Sequence, residues 1–169
     1  MSTLKVGTIQ DHTNSNTAIS IDSSGRVTTP ARPSFFAHRT GNGVQSISAA
    51  TFEIAQLNLV EHNIGNNYDT STYKFTCPIS GVYHFSVSLY IYSANQTEAR
   101  IYVNDSAKYR FASVKLAADR NPHGAGGSVT VQLNANDTVS VYGYANSSSS
   151  IYDGGSGMRA SFFSGFLVG

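Results

Sequence analysis

The chain has no tryptophan, one cysteine, two methionines and four prolines in 169 residues, and only 12% of its residues are charged. A single cysteine excludes an intrachain disulfide framework. Cys77 stands between the apolar Phe75 and Ile79 and reads as a small buried hydrophobe. A nucleophilic thiol needs a base and a lowered pKa, and the sequence places neither beside it. Eleven Lys and Arg against ten Asp and Glu leave a formal charge of +1, with no basic run. A counterion-displacing surface for nucleic acid is therefore not expected. No apolar stretch approaches the ~20 residues that cross a bilayer, so membrane insertion is not expected. The opening Met1-Ser2-Thr3-Leu4-Lys5-Val6-Gly7 lacks the apolar core of a secretory leader.

Catalytic signatures are also missing. His12, His38, His62, His84 and His123 never fall at a metal-ligand spacing. There is no phosphate loop, nucleophile elbow or dinucleotide fingerprint. Gly124-Ala125-Gly126-Gly127 precedes a strand pattern and reads as a turn. Glu53, Glu61 and Glu98 are isolated, which does not support a paired-carboxylate glycosidase. The expectation is a non-enzyme without a cofactor or metal.

What the chain does have is ten Tyr and nine Phe, enough for a core and for interfaces. After a Pro/Ser/Gly punctuation, Tyr83, Phe85, Val87, Leu89 and Ile91 alternate with His84, Ser86, Ser88, Tyr90 and Tyr92. Alternation of that length marks a strand with one face in a core. The second face carries two large tyrosines, and exposed aromatic patches mark interaction sites. The last strand is loaded on both sides, Phe162, Phe166 and Val168 against Phe163 and Leu167. Which of these sets faces the core is open at this level. The alternative to an oligomer is a central strand covered on both faces by its own chain.

Two regions differ in character. Residues 1–33 are polar and weakly patterned, with strand-like Leu4-Lys5-Val6 and Ile19-Ser20-Ile21 and a turn at Asp22-Ser23-Ser24-Gly25. Too little apolar area is present there for an independent core. From residue 34 to 169, short strands recur between turn signals, at 34–39, 51–59, 73–78, 82–92, 99–104, 107–116, 128–133, 138–145 and 160–168. The Ser147 to Gly157 stretch reads as a flexible loop tip. Many short strands at this spacing predict an all-β sandwich or barrel.

At this point the residues resemble a known family. Asn63-Ile64-Gly65-Asn66-Asn67-Tyr68-Asp69, followed by Phe75-Thr76-Cys77-Pro78-Ile79-Ser80-Gly81-Val82-Tyr83-His84-Phe85, is similar to the signature of the complement C1q globular head. Gly126 to Leu133 with Asn136-Asp137-Thr138-Val139, and the closing Phe163-Ser164-Gly165-Phe166-Leu167, are similar to that family's later landmarks. Ser80, Tyr73 and Asn136 depart from it, which bears on turn detail. The resemblance implies a ten-stranded jelly roll, shared with tumour necrosis factor, assembled as a homotrimer around its inner sheet. On that implication Tyr90, Tyr92, His84, Phe163 and Leu167 are trimer-interface residues. Some members bind calcium, but Asp119, Asp137 and Asp153 are scattered through loops and form no matching cluster.

Residues 1–30 have a resemblance of their own. Ser2-Thr3-Leu4-Lys5-Val6-Gly7-Thr8-Ile9-Gln10 and Ala18-Ile19-Ser20-Ile21-Asp22-Ser23-Ser24-Gly25-Arg26-Val27 are similar to the opening of bacteriophage tail-fibre and other virion proteins, cyanophages among them. That implies a segment, with Leu4, Val6, Ile9, Ile19 and Ile21 as its apolar contacts, that attaches a trimeric head to the particle. A phage protein made in the host cytoplasm and released by lysis needs no leader. The resulting expectation is a structural virion protein, a tail fibre or spike whose head meets a host-surface protein or glycan. Asn121, His123, Tyr152 and Asp153 are its candidate loop contacts. A capsid head-fibre or cement protein, and a secreted C1q-like lectin or ligand, are the alternatives. A hydrolase of surface glycans acting through Glu53, Glu61 or Asp153 ranks last.

Overall fold

The computed structural model describes residues 4–39, 43–92, 96–111, 123–153, 155 and 157–169, with backbone alone for His123. Every regular element among these residues is a strand. The first three, β1 (Thr8–Gln10), β2 (Thr17–Ile21) and β3 (Val27–Thr28), form a separate antiparallel sheet. Aspartates shape its turns, as Asx residues do. The Asp11 carboxylate accepts from the amides of Thr13, Asn14 and Asn16, and that of Asp22 from Ser24 and Arg26. Leu4, Val6, Ile9 and Val27 remain exposed on this small sheet.

Thirteen strands follow. They are β4 (Ser34–His38), β5 (Gln45–Ile47), β6 (Thr51–Ile54), β7 (Leu59–Ile64), β8 (Tyr68–Asp69), β9 (Lys74–Thr76) and β10 (Gly81–Tyr92). Then come β11 (Thr97–Val103), β12 (Ser106–Phe111), β13 (His123–Leu133), β14 (Thr138–Ala145), β15 (Ser149–Tyr152) and β16 (Phe162–Leu167). One sheet of seven runs β5-β15-β10-β16-β4-β7, with β13 on the free side of β10; the other, of six, runs β12-β11-β14-β9-β8, with β6 also on β14. The two sheets stack as a jelly-roll sandwich.

The core lies between them, where period-two alternation sends Tyr83, Phe85, Val87, Leu89 and Ile91 of β10 inward. Phe35 organises it, stacked on Phe75 at 4.9 Å and on Tyr68 at 5.0 Å and meeting Phe163 edge-on at 4.9 Å. Phe75 belongs to the six-stranded sheet and Phe35, Phe85 and Phe163 to the seven-stranded one, so these rings join the layers. Each such side chain buried contributes roughly 1.5–3 kcal/mol. Cys77 is buried in the same cluster, its thiol donating to the Ile79 carbonyl at 3.0 Å, and burial raises its pKa.

Several sequence expectations are revised. Residues 51–59 are not one strand: β6 pairs with β14, while β7 pairs with β4 in the opposite sheet. Between them the chain crosses layers through buried Ala55 and Leu57, whose carbonyl accepts the Tyr68 hydroxyl at 3.0 Å. The Gly124–Gly127 run is no turn but part of β13, paired with β10 from Tyr90↔Gly124 to Val87↔Gly127. Close approach explains Gly126 and Gly127, since a Cβ on Gly126 would lie 2.3 Å from the Val87 carbonyl oxygen and one on Gly127 2.5 Å from the Phe111 ring. The Ser-rich stretch after Asn146 forms β15. Among the described residues the jelly roll counts thirteen strands, the short β5, β8 and β15 included. The expected 107–116 strand is described only to Phe111, its remainder lying outside the described residues.

Candidate interaction face

The outward side of the seven-stranded sheet presents a band of aromatic side chains. β10 supplies His84, Tyr90 and Tyr92, and the register with β16 sets His84 opposite Phe166 and Ser88 opposite Phe162. Further across, Ser164 faces Phe36 and Phe162 faces His38 of β4. Phe36 stacks on Phe162 at 5.3 Å, His84 lies 5.3 Å from Phe166, and Tyr90 lies 6.2 Å from Tyr152. Val44, Tyr90, Tyr92, Ser150 and Tyr152 line a concavity of about 370 Å³ at one end of the band. Tyr92, Phe166 and Val44 are exposed in the single chain, although the core behind them is already closed.

Hydrogen bonds fix this face. His84 Nδ1 lies 3.3 Å from the Thr130 hydroxyl and Nε2 lies 3.3 Å from that of Ser86. Ser88 donates to the Ala160 carbonyl at 2.9 Å. At the rim, His38 is buried, its Nδ1 2.9 Å from the Arg39 carbonyl, so that nitrogen carries a proton. Its Nε2 makes no hydrogen bond and sits 3.5 Å from the Glu61 carboxylate, which also takes Arg159 Nε at 2.6 Å.

The face does not contain every residue expected on it. Phe163 is 0% exposed and packs inward against Phe85 and Phe35. Leu167 shares its inward side and packs on the core. Phe162 and Phe166 occupy the outward side instead, and period two leaves no other choice once Gly165 faces Phe85. Tyr90, Tyr92 and His84 do lie on the outward face.

The loop contacts fare differently. Tyr152 sits in β15 beside Tyr90, not in a loop. Asp153 is 4% exposed, and its Oδ1 accepts from the Gly155 amide at 2.8 Å, so the carboxylate shapes a bend. Burial lowers the nearby Arg39 guanidinium, with the charge of Asp153 among the opposing effects. Asn121 lies outside the described residues; for His123 only the backbone, the first residue of β13, is described. In the first sheet, Leu4, Val6 and Ile9 are exposed and Ile19 and Ile21 half-buried. Among the described residues no three His, Cys, Asp or Glu side chains converge on a metal position, and no helix is long and apolar enough to cross a membrane.

The sequence reading missed one group of side chains. On the other sheet, Arg100 of β11 lies opposite Arg110 of β12, with Glu98 bridging them and Lys108 beside them. The signal available was Asn104-Asp105, both at positive φ (51° and 58°), which closes the hairpin; a bulge between Ile101 and Tyr102 then shifts the register by one residue and brings Arg110 opposite Arg100.

Two facing sheets with this strand order, one bearing an open aromatic band, define a jelly-roll domain of the C1q and tumour-necrosis-factor type. The sequence model of the C1q domain matches residues 34–168. This chain belongs to the C1q domain family. Among solved structures it is similar to the Eiger TNF of S. frugiperda (14% identity, TM-score 0.65, covering 82% of this chain and 94% of that one). It is also similar to the globular domain of zebrafish complement 1qA (20%, TM-score 0.58, 82% and 98%) and to murine APRIL (8%, TM-score 0.57, 81% and 99%). At such identities the likeness concerns the fold.

Proposed function

We propose that this chain is a non-enzymatic structural protein of a bacteriophage virion. It works as a homotrimer of C1q-like heads attached to the particle through residues 1–33. The observation that carries the trimer is the aromatic band of Phe36, Phe162, Phe166, Tyr90 and Tyr92 on the outside of a sandwich whose core is complete. A soluble single chain would keep that band in water, whereas copies packed around a threefold axis remove it. Self-association is in keeping with the family. The attachment role is supported by the small first sheet, which leaves Leu4, Ile9 and Val27 uncovered, and by its likeness to the openings of virion proteins. The heads would then hold their free surfaces towards a host cell, as in a tail fibre or spike. A cement role on the capsid would use the same trimer.

Two experiments test the two halves separately. Tyr90→Asp combined with Phe166→Asp is expected to give a folded single chain by size-exclusion chromatography with light scattering. A double variant that keeps the parent mass overturns the proposed face. Antibody labelling of purified particles of the phage encoding the chain is expected to mark the tail for a fibre or the shell for a cement protein. Unlabelled particles overturn the virion assignment and leave the trimer standing.

A further inference from the structure

The outward face of the six-stranded sheet concentrates positive charge. Arg100 and Arg110 stand directly opposite each other, an arrangement of like charges that costs stability on its own. Glu98, 4% exposed, relieves it. Its Oε2 accepts from Arg100 Nε and Nη2 at 3.1 and 2.9 Å, and its Oε1 accepts from Arg110 Nη2 at 2.5 Å. Arg100 is further held over the Phe52 ring at 3.8 Å. One carboxylate thus orients two guanidinium groups without neutralising both, and Lys108 joins them in a cleft of about 200 Å³. Elsewhere among the described residues Arg26, Lys74 and Arg159 each pair with a carboxylate of their own.

We infer that Arg100, Lys108 and Arg110 form a binding site for an acidic saccharide, with Arg110 gripping its carboxylate. The Arg110 side chain is 59% exposed and commits only Nη2 to Glu98. The rest of its planar fork of donors is matched to a carboxylate. Beside the cleft, Tyr102 and Tyr142 stack at 4.0 Å and are partly exposed, an amphipathic aromatic surface suited to a sugar ring. Single-stranded nucleic acid needs a longer basic groove, and an anionic membrane calls for about 4–8 clustered cations. Three cations on a chain of net charge +1 suit a single acidic sugar better.

This deepens the receptor side of the proposed function and rests on it only in taking the opposite sheet as the one buried by assembly. The test is calorimetric titration of the intact chain at low salt with alginate oligosaccharides, dextran and a short single-stranded DNA. Alginate is expected to bind, more weakly as salt rises, and dextran not to bind. Arg110→Gln is expected to cut alginate affinity about tenfold or more, as loss of a charge-assisted contact does, and Arg110→Lys to restore part of it. Lys108→Gln, at a second exposed position, reports on the same site should the first variant fail to fold. Absence of alginate binding, affinity unchanged by either neutral substitution, or DNA binding as tight as alginate would each overturn the site. Sedimentation of the same samples separates a failed site from a failed trimer.

Discussion

The backbone amide of Tyr90 donates to the Ser161 hydroxyl at 2.9 Å, and that hydroxyl donates to the Tyr152 carbonyl at 2.5 Å. This is the point at which β10 exchanges one neighbour for another, pairing with β16 through Ser88 and with β15 from Tyr90 onward. One fully buried hydroxyl fills the break in the ladder. Ser161→Ala removes the partner of a part-buried amide and a part-buried carbonyl. It is expected to lower stability by about 1–3 kcal/mol in urea unfolding.

Phe163 and Phe166 are three residues apart and face opposite ways. Phe163→Ala opens a cavity among Phe35, Phe85 and Tyr68 and is expected to cost about 3–5 kcal/mol of fold stability. Phe166→Ala, at a side chain 45% exposed, is expected to leave the single-chain fold nearly unchanged while weakening assembly. Denaturation curves read alongside light scattering distinguish the two effects. Equal loss of fold stability in both variants would contradict the assignment of faces.

Burial holds the phenols of Tyr68 and Tyr83 well above their ordinary value of 10.0, and each donates to a backbone carbonyl, of Leu57 and Ile79 respectively. The unfolded chain therefore loses these protons first as pH rises. The contribution is complete below about pH 10 and is lost above it as the folded phenols resist ionisation. Urea midpoints are expected to fall steeply above pH 10, with part of the tyrosinate absorbance appearing only as the protein unfolds.

Gly126→Ala tests the close approach of β13 to β10. The added methyl meets the Val87 carbonyl and the Ser88 Cα, backbone atoms that cannot rotate away. Displacement of the paired edge is expected, with a loss of about 1–3 kcal/mol by urea denaturation, the range of an overpacked site. Gly124→Ala, where nothing lies within 4 Å, is the matched control.

How far the sequence could be read follows from these same residues. Strand β10 was legible because the ten residues from Tyr83 to Tyr92 alternate without interruption. The facing of β16 was not, since both of its sides are apolar, and only Gly165 betrays the inward one by making room for the Phe85 ring. Strand β15 was hidden because Ser149 and Ser150 carry turn propensity, which pairing with β10 and β5 overrides. Gly126 and Gly127 of β13 misled for a related reason, marking a near neighbour and not a turn. The cationic cluster depends on cross-strand register, a relationship between residues ten apart that composition and spacing do not display.

Sedimentation velocity of the unmodified protein at low micromolar concentration is the most direct test of the claim that three aromatic faces close on one another. A single boundary at three times the 18.0 kDa of one chain is the result the account predicts. A stable, folded species of one chain's mass would contradict it.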